Sequence, residues 1–426
     1  MQNAAPTLHR VRQRGTFRLA FVSAVLALVA AFAAVGSTIP LFNVYRAKDG
    51  FTNADISMAV VAYSIGTIGT LLVLGRLSNY VGRRAAALTS LALLVLGCLV
   101  LLNVHFIGVL ISGRLLMGLG AGMASSSLAA YIVDAAPRRP AWLASVASSQ
   151  TVMLGLAMGA IASGALVQFG PWPRQLIFLV AITLLLVSAV LISISPETVT
   201  PTPFVWRSLR PSVRVPARVR RLLPVAAAVI LPTWATGAFY QAFVPALVED
   251  QLHTTSPLLV GLVFTAYMAP SAIGAPLGHR FNSAAAQRIG MIGFLIGWVG
   301  IIAANATGAL IVFFAATVVA GVGQGIAISA ATRGLLYGSS LADRAPIFAV
   351  VYLLSYSGAT VPSLIAGQLS TVFSVPEIAM GYAMFALIGT VFTVIAAPDP
   401  HAADTVNSDA DSSSPRALDV GERHVD

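Results

Sequence analysis

Gly75-Arg76-Leu77-Ser78-Asn79-Tyr80-Val81-Gly82-Arg83-Arg84 separates two apolar runs, 56–75 and 85–104. Each run matches the about 20 residues needed to cross about 30 Å of hydrocarbon, so a linker this short returns the chain antiparallel. Gly75 and Gly82 permit a sharp reversal and close backbone approach, while Arg83 and Arg84 fall at headgroup depth. The stretch reads as the polar turn of a membrane hairpin.

The same alternation runs along the whole chain. Of 426 residues, 57% are AVILMFWYC and 9% DEKR, against about 45–50% apolar and about 25% charged in soluble domains. Lipid is the solvent such a composition demands. An all-α integral membrane fold is predicted, with twelve spans near 19–41, 56–75, 85–104, 107–132, 141–168, 174–195, 222–247, 257–277, 289–304, 309–332, 345–371 and 376–397. A strand barrel would instead alternate apolar and polar positions over segments of about ten residues. Arg10, Arg12, Arg14 and Arg18 ahead of the first run, and AAVGS at its end, imitate a signal peptide, but the run exceeds the about 7–15-residue core of one. The single cysteine, Cys98, excludes an intrachain disulfide or a cysteine metal cluster.

Arginine placement sets the orientation. With the amino terminus inside, twenty basic residues are cytoplasmic, against Arg46, Lys48 and Arg174 outside, in keeping with the positive-inside rule. The expected organisation is a basic cytoplasmic N-terminus over 1–18, a six-helix bundle over 19–195, a basic cytoplasmic linker over 196–221, a second bundle over 222–397 and a disordered, Ser-rich cytoplasmic tail over 398–426. The linker's six arginines suit anionic inner-leaflet lipid. The net charge of +10 is spread over short loops, which argues against nucleic-acid binding. A multi-pass protein of the plasma or inner membrane is expected, with both termini cytoplasmic.

Six spans on each side of the linker suggest duplication. Gly118-Leu-Gly120-Ala-Gly122-Met-Ala-Ser-Ser-Ser127 lies 203 residues before Gly321-Val-Gly323-Gln-Gly325-Ile-Ala-Ile-Ser-Ala330, and Leu77-Ser-Asn-Tyr80 lies 200 before Leu277-Gly-His-Arg280. Two matches in one order, at nearly equal offsets, favour two pseudo-symmetric halves.

With spans, loops and halves in place, Gly75–Arg84 resembles the G-x-L-x-D-R-x-G-R-R/K signature of the major facilitator superfamily, over roughly residues 18–397. The resemblance implies two six-helix bundles around a central cavity that opens alternately to each side. It also implies that this loop, with Gly75, Gly82, Arg83 and Arg84, latches the halves on the cytoplasmic side when the cavity faces outward. The family's acidic latch residue is here Asn79, and the arginine after it is Tyr80. Losing the charge that favours a helix N-terminus predicts a weaker latch. Asp134 could pair with Arg83 or Arg76, or stand solvated at its helix end.

Arg114 lies about 10 Å into the fourth span, at 1.5 Å per residue, and shares a face with Gly118 and Gly122. An intramembrane charge is a functional candidate, and the run resembles the family's fourth-helix motif, whose arginine is associated with proton coupling. Snorkelling to the outer interface is the alternative. Gly155-Leu-Ala-Met-Gly159-Ala160-Ile-Ala-Ser163-Gly164 resembles the exporters' G-x-x-x-G-P-x-x-G-G motif, with Ala160 and Ser163 departing from it; small residues of this kind also serve plain helix packing. Tyr63, Arg114, Gln150, Trp234, Tyr240, Gln241, Tyr267, Gln324, Tyr352 and Tyr356 are the polar or aromatic residues expected to line the cavity, unless they belong to interfacial belts or interhelical bridges.

No carboxylate lies in mid-span: Asp49, Asp55, Asp134, Glu197, Glu249, Asp250, Asp343 and Glu377 sit in loops or at helix ends. Asp55 reads as the N-cap of the second span. Proton coupling is open unless Asp55, Asp134 or the Glu249-Asp250 pair reaches the cavity, and a neutral, amphiphilic or anionic substrate suits this lining better than a cation. The histidines are peripheral and no phosphate loop is present, so neither an enzyme nor direct use of ATP is expected, and no cofactor or metal. The leading expectation is a proton-coupled exporter of amphiphilic or drug-like compounds. A metabolite uptake or exchange carrier comes second, and a non-transporting sensor or scaffold third. The expected partners are a small-molecule substrate, membrane lipid and protons, with the chain a monomer.

Overall fold

The computed structural model describes residues 5–137, 142–200 and 217–397. Their helices are α1 (Ala5–Gly36), α2 (Leu41–Asp49), α3 (Asn53–Leu74), α4 (Ser78–Val81), α5 (Arg83–Leu101), α6 (Ile107–Ala135), α7 (Trp142–Phe169), α8 (Leu176–Ile194), α9 (Ala217–Ala242), α10 (Val244–Asp250), α11 (Pro257–Leu277), α12 (Ser283–Thr307), α13 (Leu310–Leu336), α14 (Leu341–Leu369) and α15 (Val375–Ala396). Twelve stretches are long and apolar enough to cross a membrane, and no strand occurs among the described residues. Apolar side chains such as Leu186, Val190 and Ile194 on α8, Ile296 and Val299 on α12, and Ile388 and Ile395 on α15 are mostly exposed on the outside of the bundle. In lipid such faces carry no penalty, because the surrounding acyl tails are as apolar as the side chains.

Three predicted boundaries need correction. The first span holds a helix break rather than one continuous helix to 41: α1 ends at Gly36, the Ser37 and Thr38 hydroxyls turn back to the carbonyls of Ala34 and Val35, at 2.8 and 3.0 Å, Pro40 lacks an N–H, and α2 starts afresh at Leu41. The seventh span ends at Ala242 rather than 247, and Pro245 sits in the first turn of the separate helix α10. The ninth is longer than 289–304, because Asn282 caps Ser283–Thr307 through Ala285 N and Gly308 ends it at φ 67°. Asp55 is not itself a cap: Thr52 is, and Asp55 occupies the third position of a reciprocal capping box.

The short helices mark two ends of the bundle. We call the side carrying α2 and α10 the cap face, and the opposite side, with residues 75–82 and 278–282, the latch face. Within each half the helices meet through glycines placed against backbone. Gly118 and Gly122 of α6 abut the carbonyls of Tyr63 and Thr67 on α3, and Gly321 and Gly325 of α13 abut those of Tyr267 and Ser271 on α11. Between halves, α7 packs on α11 and α14 on α3. Gly164 lies against Pro257 and Leu258, and Gly367, 203 residues later, against Ser57 and Ala54. The pairing of halves thus repeats about a pseudo-two-fold axis. Without a hydrophobic drive between helices in lipid, such close backbone approach is what holds them. The linker arginines Arg207, Arg210 and Arg214 and the tail from 398 lie outside the described residues.

Candidate functional site

On the latch face, Gly82 takes φ 97° and ψ 152° between α4 and α5, a conformation only glycine adopts without strain. The space a side chain would fill holds the Glu197 carboxylate, which accepts the N–H groups of Arg83 and Arg84 at 2.8 and 3.0 Å. An acid therefore does sit on a helix N-terminus here, at the start of α5. Arg83 donates through Nε to Asp134 at 2.9 Å, and through Nη1 to Ser78 at 2.7 Å and Asn79 at 2.6 Å. All these partners belong to the first half. No spacing rule joins Glu197 to Arg84, 113 residues away. A vestibule of ≈ 530 Å³ opens between Arg76, Asn79 and Asp134 on one side and Phe348 and Tyr352 of α14 on the other.

The cap face is closed across the halves. Arg46 of α2 pairs with Glu249 at 3.3 Å and Asp250 at 3.5 Å on α10, Asn43 donates to the Pro245 carbonyl at 2.7 Å, and Ser256 to the Gln168 side chain at 2.6 Å. Beside them Arg174 pairs with Asp49 at 2.7 Å, donates to the Val104 carbonyl and lies over the Tyr45 ring. None of these pairings follows from residue spacing.

Between the two faces lies a small cavity of ≈ 70 Å³, lined from both halves by Phe32, Tyr63, Ser64, Val152, Met153, Leu156, Trp234, Gly237, Ala238, Gln241, Met268, Gln324, Tyr356 and Ala359. Five of the expected lining residues are among them: Tyr63, Trp234, Gln241, Gln324 and Tyr356. Tyr352 faces the vestibule instead, and Gln150 is half-buried on α7 outside both linings. Tyr240 and Tyr267 line neither hollow. They stack at 4.4 Å inside the second half, with their hydroxyls on Thr317 (2.8 Å) and the Thr233 carbonyl (3.1 Å), so their polarity is satisfied by packing.

Arg114 is fully buried behind the wall formed by Tyr63 and Gln241, which excludes snorkelling to the interface. Its guanidinium lies 4.6 Å from the Tyr63 ring centroid, a contact worth about 2 kcal/mol when desolvated. Nη1 donates to Thr38 Oγ1 at 2.9 Å and to the Val35 carbonyl at 3.4 Å, and Nη2 to Gln241 Oε1 at 3.2 Å. Thr38 is available because α1 has broken just before it, and Gln241 arrives from the other half. Gly155 and Gly159 set α7 against Phe32 and Ala33 of α1, and Gly164 sets it against α11. Of these three glycines, Gly155 and Gly159 pack within the first half and Gly164 lies on the seam along which the halves meet.

A family model described as Major Facilitator Superfamily matches residues 24–255. The chain is 32% identical over 174 residues to the MFS efflux transporter aclA of Aspergillus oryzae, across 40% of this chain and 31% of that protein. It is 27% identical over 121 residues to the myo-inositol transporter FST1 of Gibberella moniliformis, across 26% of this chain and 21% of that protein. The alignments thus span a third or less of either relative's length.

Proposed function

The chain belongs to the major facilitator superfamily, and from that premise we propose that it is a secondary active transporter, exporting an amphiphilic small molecule in exchange for protons by alternating access. The observation that carries this reading is the uneven meeting of the halves. They are joined through Arg46, Asn43 and Ser256 at the cap face and stand apart around a vestibule at the latch face. The excess of basic residues assigns the latch face to the cytoplasm, so this is an inward-open state. Each chain carries a complete cavity and acts as a monomer.

Export is favoured by the Gly155, Gly159 and Gly164 stripe and by the efflux transporter among the relatives. The myo-inositol transporter, together with a lining that includes Tyr63, Gln241, Gln324 and Tyr356, favours a second reading, a polyol carrier. Proteoliposomes separate the two. Accumulation of a labelled amphiphile in acid-inside vesicles supports proton exchange, accumulation of labelled myo-inositol supports the second reading, and flux of neither by folded protein leaves a sensor or scaffold.

A further inference from the structure

The guanidinium of Arg114 is held unevenly. Nη1 is anchored to α1 through Thr38 and Val35. The opposite edge, formed by Nε and Nη2, holds one neutral acceptor, Gln241 Oε1, while Nε is buried without a partner. No described carboxylate pairs with this charge. An Nε–Nη2 edge presents two parallel N–H groups, the fork that a carboxylate fills in bidentate fashion. On the cavity wall Gln324 is buried, with its side-chain oxygen also unpartnered, so its amide is free to turn its NH2 toward an anion. Val152, Met153, Leu156, Trp234 and Met268 supply an apolar surface beside these groups.

We infer that the cavity, ≈ 70 Å³ as it stands and widened as Gln241 swings aside, binds an amphiphilic monocarboxylate, whose head group takes the Nε–Nη2 edge of Arg114 while its apolar body meets Trp234 and the methionines. This rests on the transport reading and adds the substrate's charge and its anchor. Because Gln241 belongs to the second half, seating the carboxylate also breaks a bond between halves deep in the closed side. Ligand arrival is thereby tied to release of the cap face. A buried positive charge with only neutral acceptors is costly, and the arriving anion removes that cost, whereas a cation would add to it.

The probes are 1-naphthaleneacetate and its neutral amide, 1-naphthaleneacetamide, titrated against the full chain in nanodiscs by isothermal calorimetry. In the wild type the carboxylate should bind at least tenfold tighter than the amide. Gln241→Glu places a resident carboxylate on the Arg114 edge, so it should raise the melting temperature while weakening the carboxylate probe at least tenfold and the amide little. Arg114→Gln should abolish the preference, and Arg114→Lys, which keeps the charge but not the fork, should retain only part of it. Equal affinity for the two probes, binding of neither, or a Gln241→Glu protein that still prefers the carboxylate would overturn the inference. Proton-driven flux of neutral compounds with no carboxylate preference sinks this proposal alone, whereas carboxylate binding without any flux sinks the transport reading alone.

Discussion

In the first half, α6 lays Gly118 and Gly122 against the carbonyls of Tyr63 and Thr67, and one turn earlier sets Arg114 over the Tyr63 ring at 4.6 Å. In the second half, α13 lays Gly321 and Gly325 against Tyr267 and Ser271, and one turn earlier places Thr317, 203 residues after Arg114. The Thr317 hydroxyl meets the phenol of Tyr240, which stacks on Tyr267 at 4.4 Å. A phenol in one half thus stands where a guanidinium stands in the other. The backbone contacts are duplicated and the chemistry is not. Small residues fix how helices meet, whereas the side chain one turn away decides whether a half is satisfied internally or must look across the interface for a partner.

The sharpest test exchanges that side chain. Arg114→Thr should lower gradient-driven flux about 10- to 150-fold, corresponding to loss of a charged hydrogen bond of about 1.5–3 kcal/mol. Thr317→Ala should leave flux within about twofold, at a stability cost of about 1 kcal/mol. Equal flux losses in the two variants would erase the distinction between halves.

The shared scaffold predicts the reverse pattern for glycine. Gly118→Ala and Gly321→Ala each push a methyl into a facing carbonyl and should each destabilise by about 1–3 kcal/mol, seen as similar drops in the melting temperature of purified protein. A large difference between the two would show that one half bears more of the packing.

Smaller effects come from the two faces. Arg46→Ala removes a part-exposed bridge between halves, worth about 0.2–1 kcal/mol, and should shift the population toward an open cap face by up to about fivefold. Spin-label distances between α2 and α10 report the shift, and unchanged distances would remove the bridge as a closure element. Asn79→Asp should move the equilibrium in the same direction, by closing the latch face, but by less than about twofold, near 0.3 kcal/mol, because Arg83 is already paired with Asp134. Labels on the latch-face ends of α3 and α14 would detect it, and a shift toward a wider vestibule contradicts the latch assignment.

Much of this architecture is legible in the sequence, because lipid demands long apolar runs and duplication leaves a constant offset. The twelve spans and the correspondence of Gly118 with Gly321 follow from those two constraints. Helix ends are less legible where proline and hydroxyl side chains act locally, so that α2 and α10 read as continuations of spans one and seven. Composition also misleads inside the bundle. Tyr240 and Tyr267 resemble cavity residues by type and depth, yet their hydroxyls find Thr317 and Thr233. Glu197 beneath Gly82 and the bridge from Arg46 to Glu249 join residues 114 or more apart, and only the folded chain brings them together.

The partners of Arg114 also differ in when they are made. Thr38 and Val35 precede it by 76 and 79 residues, whereas Gln241 follows it by 127. An arginine at a span's centre costs about 2.5–3.5 kcal/mol at membrane insertion and one at the depth of Arg114 somewhat less, and as the fourth span leaves the ribosome the acceptors on α1 are already in the bilayer to offset part of that. A nascent chain stalled before residue 217 should keep this span inserted, and Thr38→Val should lower the inserted fraction measured by glycosylation mapping. The order of synthesis therefore has the guanidinium sheltered by its own half before the glutamine that later closes over it exists.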